Sequence, residues 1–304
     1  MIKVAAPALK NPERRTMTEF QNYWAESHGP LFYNTRHLRR YVQHLTLDEA
    51  HGHLPEPTYD GVSLFWYDDL ETQLTPPQDD RAKRLREAVR SDDAQLFDRL
   101  PGWPAHHKRA SVAANEIVIK DGPTSPSMVK TVTFASRLPG LTLDEFFGHW
   151  KDVHGSMCAR IPAVRRYVQN HGIREAYAKR DMTHDGWAEI WFDSLEAMWQ
   201  AQQSPEWAEL RADGDTLFTR VMGVGVAREL VQKEIDVPVR RWAEGMSEEA
   251  IRSKLRDQGY TKLAADAAGP GKLKSADESG ALCVWTWEHI VTIDDSALDV
   301  RPEK

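Results

Sequence analysis

Glu19-Phe20-Gln21-Asn22-Tyr23-Trp24-Ala25-Glu26-Ser27-His28-Gly29 returns 126 residues later as Glu145-Phe146-Phe147-Gly148-His149-Trp150-Lys151-Asp152-Val153-His154-Gly155. The offset still holds where Arg39-Arg40-Tyr41-Val42-Gln43 meets Arg165-Arg166-Tyr167-Val168-Gln169. It becomes 125 at Asp60-Gly61 against Asp185-Gly186, and Glu116-Ile117-Val118 returns later as Glu229-Leu230-Val231. Blocks that recur in one order mark a duplication, which has to be recognised before any fold is assigned. The copies span 1–120 and 128–235. Between them, 121–127 includes Gly122-Pro123-Thr124-Ser125-Pro126-Ser127, whose prolines and lack of apolar residues suit a linker. Segment 236–304 matches neither copy. Ser247-Glu248-Glu249-Ala250-Ile251 reads there as a capped helix start with Gly259 as its stop, and Leu282-Cys283-Val284-Trp285-Thr286-Trp287 reads as a strand, a small α/β extension.

Each copy opens on a β-rich stretch, Met1-Ile2-Lys3-Val4 or Met128-Val129-Lys130-Thr131-Val132-Thr133-Phe134. A helix follows, entered at Thr18-Glu19 or at Thr142-Leu143-Asp144-Glu145. Phe20, Trp24 and His28, like Phe146, Trp150 and His154, sit at i, i+4 and i+8. A 3.6-residue period puts each trio on one apolar stripe with the histidine at its end, before Gly29-Pro30 or Gly155 stops the helix. Second strands are expected at 41–45 and 167–171, third strands at 61–67 and 186–192. A second helix comes next; in copy two Ser204-Pro205-Glu206 is a good start for its last segment. Copy one carries extra residues here, around Thr75-Pro76-Pro77-Gln78-Asp79-Asp80. Ile117-Val118-Ile119 and Leu230-Val231 are candidate fourth strands. Each copy is thus a βαββαβ unit of ferredoxin-like type, an α+β fold. Helices cover one face of such a sheet, and the other face must meet something.

Composition narrows the function classes. The 304 residues suit two domains by length. No apolar run approaches the roughly 20 residues of a membrane helix, and Met1-Ile2-Lys3-Val4-Ala5-Ala6-Pro7 has no secretory core, so neither membrane nor export is expected. The two cysteines, Cys158 and Cys283, lie far apart, which suits a reducing cytoplasm and excludes a disulfide or Cys-zinc framework. A net charge of −7 argues against nucleic acid as a partner. The 11 tryptophans are an excess. Trp24 with Trp150, and Trp66 with Trp191, are duplicated positions; Trp187 has no counterpart.

At these residues the sequence resembles the EthD family of the dimeric α/β-barrel superfamily. The resemblance rests on Phe146, Trp150 and His154-Gly155, then Arg165-Arg166-Tyr167-Val168-Gln169-Asn170, then Asp185-Gly186-Trp187-Ala188-Glu189-Ile190-Trp191-Phe192, with the matching positions of copy one. It implies two ferredoxin-like repeats joined through their sheets as an α/β barrel. Single-copy relatives close that barrel as homodimers; here fusion can close it within one chain, and a homodimer stays open as an alternative. The family also implies a cofactor-free pocket between helices and sheet, in which His, Tyr or acidic groups move protons.

His154 and His28 are the leading catalytic candidates, because imidazole exchanges protons near neutral pH. The competing reading is a helix-end histidine bonded to a carbonyl. Glu189 is the second candidate. Strand alternation puts it between Trp187 and Trp191, where lost solvation is expected to raise its pKa towards general acid–base use. Alternatively it pairs with Arg165 or Arg166. Its counterpart is Leu64, so the copies are unequal and copy two is favoured for catalysis. Tyr41 and Tyr167 are candidates for orienting a substrate oxygen or for packing, and Trp24, Trp66, Trp150, Trp187 and Trp191 for lining an aromatic pocket. His44 and His171 differ by one position between copies, so they are expected on different faces. His51-Gly52-His53 lacks a third metal ligand, His106-His107 looks solvated, and no nucleotide motif is present; Gly223-Val224-Gly225, ahead of the last strand, does not complete one.

These features lead to a cofactor-independent lyase with no metal. It eliminates water, carbon dioxide or a small aldehyde from an aromatic or polyketide-like small molecule, with histidine as base and Glu189 or a tyrosine as acid. A cofactor-free monooxygenase or haem protein is the first alternative, and a non-catalytic binder of hydrophobic aromatic compounds the second.

Overall fold

The computed structural model describes residues 1–32, 35, 37–47, 59–76, 80–98, 111–125, 127–179, 182 and 184–234, with the pairs 262–263 and 281–282. Copy one runs β1 (Ile2–Ala8), α1 (Met17–Tyr23), a π-helical turn (Trp24–His28), a 3-10 turn (Gly29–Phe32), β2 (Leu38–Thr46), β3 (Gly61–Tyr67), α2 (Leu70–Leu74), α3 (Asp80–Leu96) and β4 (Val112–Lys120). Copy two runs β5 (Val129–Arg137), α4 (Leu143–His149), a π-helical turn (Trp150–His154), α5 (Gly155–Arg160), β6 (Arg166–Gly172), α6 (Arg174–Lys179), β7 (Gly186–Phe192), α7 (Leu195–Gln202), α8 (Pro205–Gly214) and β8 (Phe218–Glu234).

The local chemistry explains the boundaries. Thr16 caps α1 in a reciprocal box with Glu19, two residues before the expected start, and Thr142 with Glu145 does the same for α4. Ser204 caps α8 with Pro205 in its first turn, as expected. The third strands fall where the pattern put them. The fourth strands are longer than Ile117–Ile119 and Leu230-Val231 suggested. Gly223 and Gly225, expected ahead of the last strand, lie inside β8 opposite Thr133 and Thr131 of β5.

The strands bond in the closed order β1-β3-β2-β8-β5-β7-β6-β4. Each copy keeps the order of a ferredoxin-like sheet, and its fourth strand pairs with the second strand of the other: β4 runs antiparallel to β6, with Glu116 opposite Asn170 and Val118 opposite Val168. The barrel therefore closes within one chain. Because strands cross between copies, the chain divides into compact units that each take several segments. One is Met1–Leu9, His44–Leu64 and Arg99–Leu230, with residues from every barrel strand; the other is Lys10–Gln43, Phe65–Asp98 and Val231–Lys304. Of the extension, Ala281-Leu282 pairs in parallel with Lys262-Leu263. The expected helix from Ser247 and the rest of the strand to Trp287 lie outside the described residues, as do His51, His53, His106 and His107. Among described residues no helix is long and apolar enough to cross a membrane.

In the first unit, Phe146, Phe147 and Trp150 pack with Tyr167 of β6 and Ala188, Ile190 and Phe192 of β7. Alternation turns Trp187, Glu189 and Trp191 to the opposite face, the inside of the barrel.

Candidate functional site

The first helix of each copy does not keep a 3.6-residue period to its histidine. From the tryptophan onward it widens into a π turn: Gly29 N–H donates to the Trp24 carbonyl, and Gly155 N–H to that of Trp150. Single π turns store a local irregularity and recur at functional sites. Here a glutamine steadies each one. Gln43 Nε2 donates to the Trp24 carbonyl at 2.8 Å and to Tyr41 Oη at 3.0 Å; Gln169 Nε2 donates to Trp150 at 2.7 Å and to Tyr167 Oη at 2.8 Å. Gly155 does not stop its helix, since α5 continues from it. It is glycine for space: a Cβ there would lie 3.0 Å from Gln169 Nε2 and 3.1 Å from the Trp150 carbonyl oxygen.

The π turn delivers each histidine to an aspartate of the second helical segment. His28 Nδ1 lies 2.6 Å from Asp92 Oδ2, and His154 Nδ1 2.9 Å from Asp213 Oδ2. The other oxygen of each aspartate takes a second partner from the first helix. Tyr23 Oη donates to Asp92 at 2.6 Å, and His149 Nε2 lies 2.8 Å from Asp213. Neither aspartate was singled out from sequence. The signal is there: Asp92 precedes Leu96-Phe97 as Asp213 precedes Leu217-Phe218. It follows the stretch where the copies differ in length, beyond the reach of a constant offset.

The two dyads differ in access. His28 is fully buried, edge-on to Phe32 and Phe97, with Nε2 making no hydrogen bond and lying 3.5 Å from Asp93 Oδ1. A polar groove of about 620 Å³ along α1 is lined by Arg14, Arg15, Asn22 and Tyr23 among others, and Tyr23 is the residue whose hydroxyl bonds Asp92. The His154 side chain keeps 12% exposure and lies edge-on to Phe218, which also meets Trp150 and Phe146. Burial pushes the Asp213 carboxyl up, but bonds from His149 and His154 outweigh it and hold the group below its ordinary value. An ionised Asp213 can only accept, so Nδ1 of His154 carries the proton and Nε2 keeps a lone pair. Burial lowers the pKa of His154 against the opposing pull of Asp213, which leaves the ring neutral at pH 7.

Glu189 is not part of this arrangement. It projects into the barrel, on the face opposite the helix-packed core that holds Trp150. Its Oε1 accepts from Lys3, from Asn170 Nδ2 at 3.0 Å and from Trp187 Nε1 at 3.0 Å; its Oε2 accepts from Lys130. Lys3 also pairs with Glu116 at 2.8 Å, and Lys130 with Glu229 at 2.6 Å, beside His44 at 3.0 Å. The expectation of a raised pKa is therefore reversed: desolvation does act upward, but two lysines hold the carboxyl well below the ordinary range. The expected arginines are engaged elsewhere, Arg165 with Asp193 and Arg166 with Asp121. Strand alternation gives the face a residue takes, but neither its diagonal neighbour on the next strand, here Lys130 of β5, nor the residue that barrel closure brings near, here Lys3 of β1.

The remaining candidates are packed. Tyr41 stacks on Phe65, Tyr167 is buried in the helix-side core, and Trp24 packs on Phe20 and Phe97. Trp187 lies against Phe134, Lys130 sits over Trp191, and Arg40 over Trp66. His44 and His171 do take different faces: His44 joins the barrel interior, while His171 stacks on Phe147 and Trp150.

A closed barrel of two fused ferredoxin-like repeats, each carrying a His–Asp pair on a π turn, defines a single-chain α/β-barrel protein. The EthD domain model matches residues 13–99 and 138–220, more than half of the sequence, and the chain belongs to that family. No curated protein matches it. Similar solved structures include an anthrone oxidase-like protein, 11% identical over 77% of this chain and 93% of that one, with a TM-score of 0.49. An EthD-family protein from Bacillus halodurans is 20% identical over 32% of this chain and 95% of its own, with a TM-score of 0.26. A proposed monooxygenase from Lactobacillus acidophilus is 11% identical, covering 77% and 97%, with a TM-score of 0.41.

Proposed function

We propose that the chain is a proton-transfer enzyme of the lyase type and that His154, oriented by Asp213, is its base. One observation carries this reading. The His–Asp pair is built twice, and only in copy two does the histidine combine a locked Nδ1 with access to solvent. In a dehydration, Nε2 takes a proton from carbon beside a carbonyl, and the C–H electron pair becomes the new C=C bond as the C–O bond breaks. The imidazolium, stabilised by Asp213, then gives its proton to the leaving hydroxyl, and water departs. Loss of a small aldehyde breaks a C–C bond instead: Nε2 takes the β-hydroxyl proton, the C–C pair passes into an enolate, and the imidazolium returns the proton to its carbon. Loss of carbon dioxide from a β-keto carboxylate leaves the same enolate, which is protonated from water. Phe218, edge-on to His154, favours a flat aromatic or polyketide-like substrate. His28, sealed in copy one, takes a structural part, and Glu189 serves the barrel and not the reaction.

The test is turnover by the full-length protein of a panel of aromatic and polyketide-like hydroxyketones and β-keto acids, followed by mass spectrometry with oxygen uptake in parallel. His154→Ala is expected to lose roughly 10²- to 10⁴-fold, and His28→Ala to keep its rate per folded molecule. Full turnover by His154→Ala overturns the assignment. Product formed only with oxygen uptake moves the protein to monooxygenase chemistry, and a Soret band in the purified protein to the haem alternative. Saturable tryptophan quenching without product identifies a binding protein.

A further inference from the structure

We propose that Gly214 is the specificity-determining position of the copy-two site: the side chain it lacks leaves a slot along the imidazole edge of His154, and the reacting carbon of the substrate reaches Nε2 through it. Gly214 is the last residue of α8, one position after Asp213. A helical glycine forgoes the stability that alanine would bring, so its presence calls for a reason. Conformation does not supply one, because the Gly214 backbone is helical and outside the left-handed region. Steric exclusion does not either. A Cβ at 214 would lie 3.4 and 3.6 Å from Phe218 Cδ2 and Cε2 and 3.5 Å from His154 Cε1, all ordinary contact distances. Alanine would fit, and its methyl would fill the gap between the phenyl ring and the imidazole. The glycine keeps that gap open.

Copy one shows the slot filled. Arg90-Ser91-Asp92-Asp93-Ala94-Gln95-Leu96-Phe97 and Arg211-Ala212-Asp213-Gly214-Asp215-Thr216-Leu217-Phe218 align without a gap, so Asp93 holds the place of Gly214. The surroundings agree. Each aspartate meets its histidine at Nδ1, and each phenylalanine meets that ring edge-on, at 5.3 Å in copy one and 5.2 Å in copy two. Asp93 Oδ1 lies 3.5 Å from His28 Nε2, so a side chain at this position extends along the ring to the nitrogen that Asp92 does not hold. There the histidine is fully buried, whereas His154 beside Gly214 keeps its exposure. Phe32 covers another edge of His28, so the position is tested in copy two. A slot that a single methyl would fill suits the planar, unbranched part of a substrate and turns away a branch at the reacting carbon.

The catalytic meaning rests on His154 as the base, but access to it is measured without substrate. The probe is diethyl pyrocarbonate, whose carbonyl is attacked by a bare imidazole nitrogen: an N–C bond forms, ethyl carbonate leaves, and peptide mass spectrometry locates the label. Full-length wild type, Gly214→Ala and Gly214→Asn are compared at pH 7. His149, 38% exposed on the other oxygen of Asp213, is the internal standard. Gly214→Asn supplies the shape of copy one's aspartate without its charge. Wild-type His154 should take the label, Gly214→Ala should slow its labelling severalfold relative to His149, and Gly214→Asn should abolish it. Gly214→Ala should melt no lower than the wild type. An unchanged His154 labelling rate in both folded variants, or a wild-type His154 that takes no label, overturns the proposal. So does a Gly214→Ala protein that melts well below the wild type, since the glycine would then be kept for packing. On any panel substrate turned over, Gly214→Ala should lower kcat/KM, most for one branched at the reacting carbon. Blocked labelling together with full turnover by His154→Ala would leave the slot in place and remove the base assignment alone.

Discussion

Replacing Glu189 by leucine, the residue at its copy-one counterpart Leu64, attacks the centre of the barrel. Lys3 and Lys130 would each lose one of two carboxylates, and Trp187 Nε1 and Asn170 Nδ2 would lose their acceptor. Removing one partner of a buried ion pair costs about 3–5 kcal/mol, and each stranded buried donor about 1–3 kcal/mol when counted alone. These groups share one carboxylate and do not add, so about 4 kcal/mol is the working figure. That is a large part of the roughly 5–15 kcal/mol that holds a domain together. With a urea slope of about 3 kcal/mol per molar for a chain of this size, the midpoint should fall by more than 1 M. The assay is urea unfolding followed by tryptophan fluorescence. The telling companion is the exchange Leu64→Glu/Glu189→Leu. Lys3 and Lys130 are equivalent positions, as are Glu116 and Glu229, so a carboxylate at 64 should meet the same two lysines and recover most of the loss. A Glu189→Leu midpoint equal to wild type would refute the idea that this carboxylate holds the barrel. A double variant no better than Glu189→Leu would refute the equivalence of the two copies around it.

Burial pushes His171 down to about 4. An unfolded histidine titrates near 6.5, so between those values the unfolded chain binds the additional proton and stability falls as pH falls. The loss should reach about 3 kcal/mol by pH 4, and His171→Phe should flatten that component in melts across the window. Gly186→Ala should be among the worst single-methyl changes, because a Cβ there would lie 2.3 Å from the Asn170 carbonyl oxygen and 2.8 Å from the Trp150 ring. Gly148→Ala in α4 meets nothing within 4 Å and should raise stability by about 0.5–1 kcal/mol through helix propensity alone. Thermal melts check both.

What could be read from the sequence is what the duplication wrote twice. The Asp-Gly block is one case: Asp185 accepts from the Arg137 N–H and guanidinium and from Tyr177 Oη, while Gly186 admits Trp150 to the sheet. Gln43 and Gln169 are another, visible as motif letters before their bond to a π-turn carbonyl is known. The π turns themselves were not legible, because an i, i+4, i+8 spacing suits an α-helix equally well and only the backbone bonds distinguish them. The partners of Glu189 were out of reach for a different reason. Lys3 comes from β1, which is not paired with β7, and that distance follows from barrel closure, which no local pattern encodes; Lys130 and Asn170 stand on β5 and β6, the strands paired with β7, and depend on register.

Fusion explains why the informative differences between copies are few and placed where they are. In a barrel made of two identical chains, every interior residue is present twice, so a carboxylate shared between the two equivalent lysines would face its own duplicate. Like charges that close cost free energy in a low-dielectric interior. One chain escapes this with Glu189 on one side and Leu64 on the other: one carboxylate, two lysines. The same freedom lets Tyr23 and His149 part company while the aspartate, the π turn and the glutamine clamp stay common. It also lets Gln232 take the place against copy one's π turn that Ile119 holds against copy two's; Gln232 donates to the Ala25 carbonyl and to Gln43 Oε1 at 2.7 Å each. In copy two the corresponding oxygen, Gln169 Oε1, is served by His171 at 2.8 Å. Each clamp is thus completed by a different residue, so the two π turns keep one geometry while the side chains around them diverge.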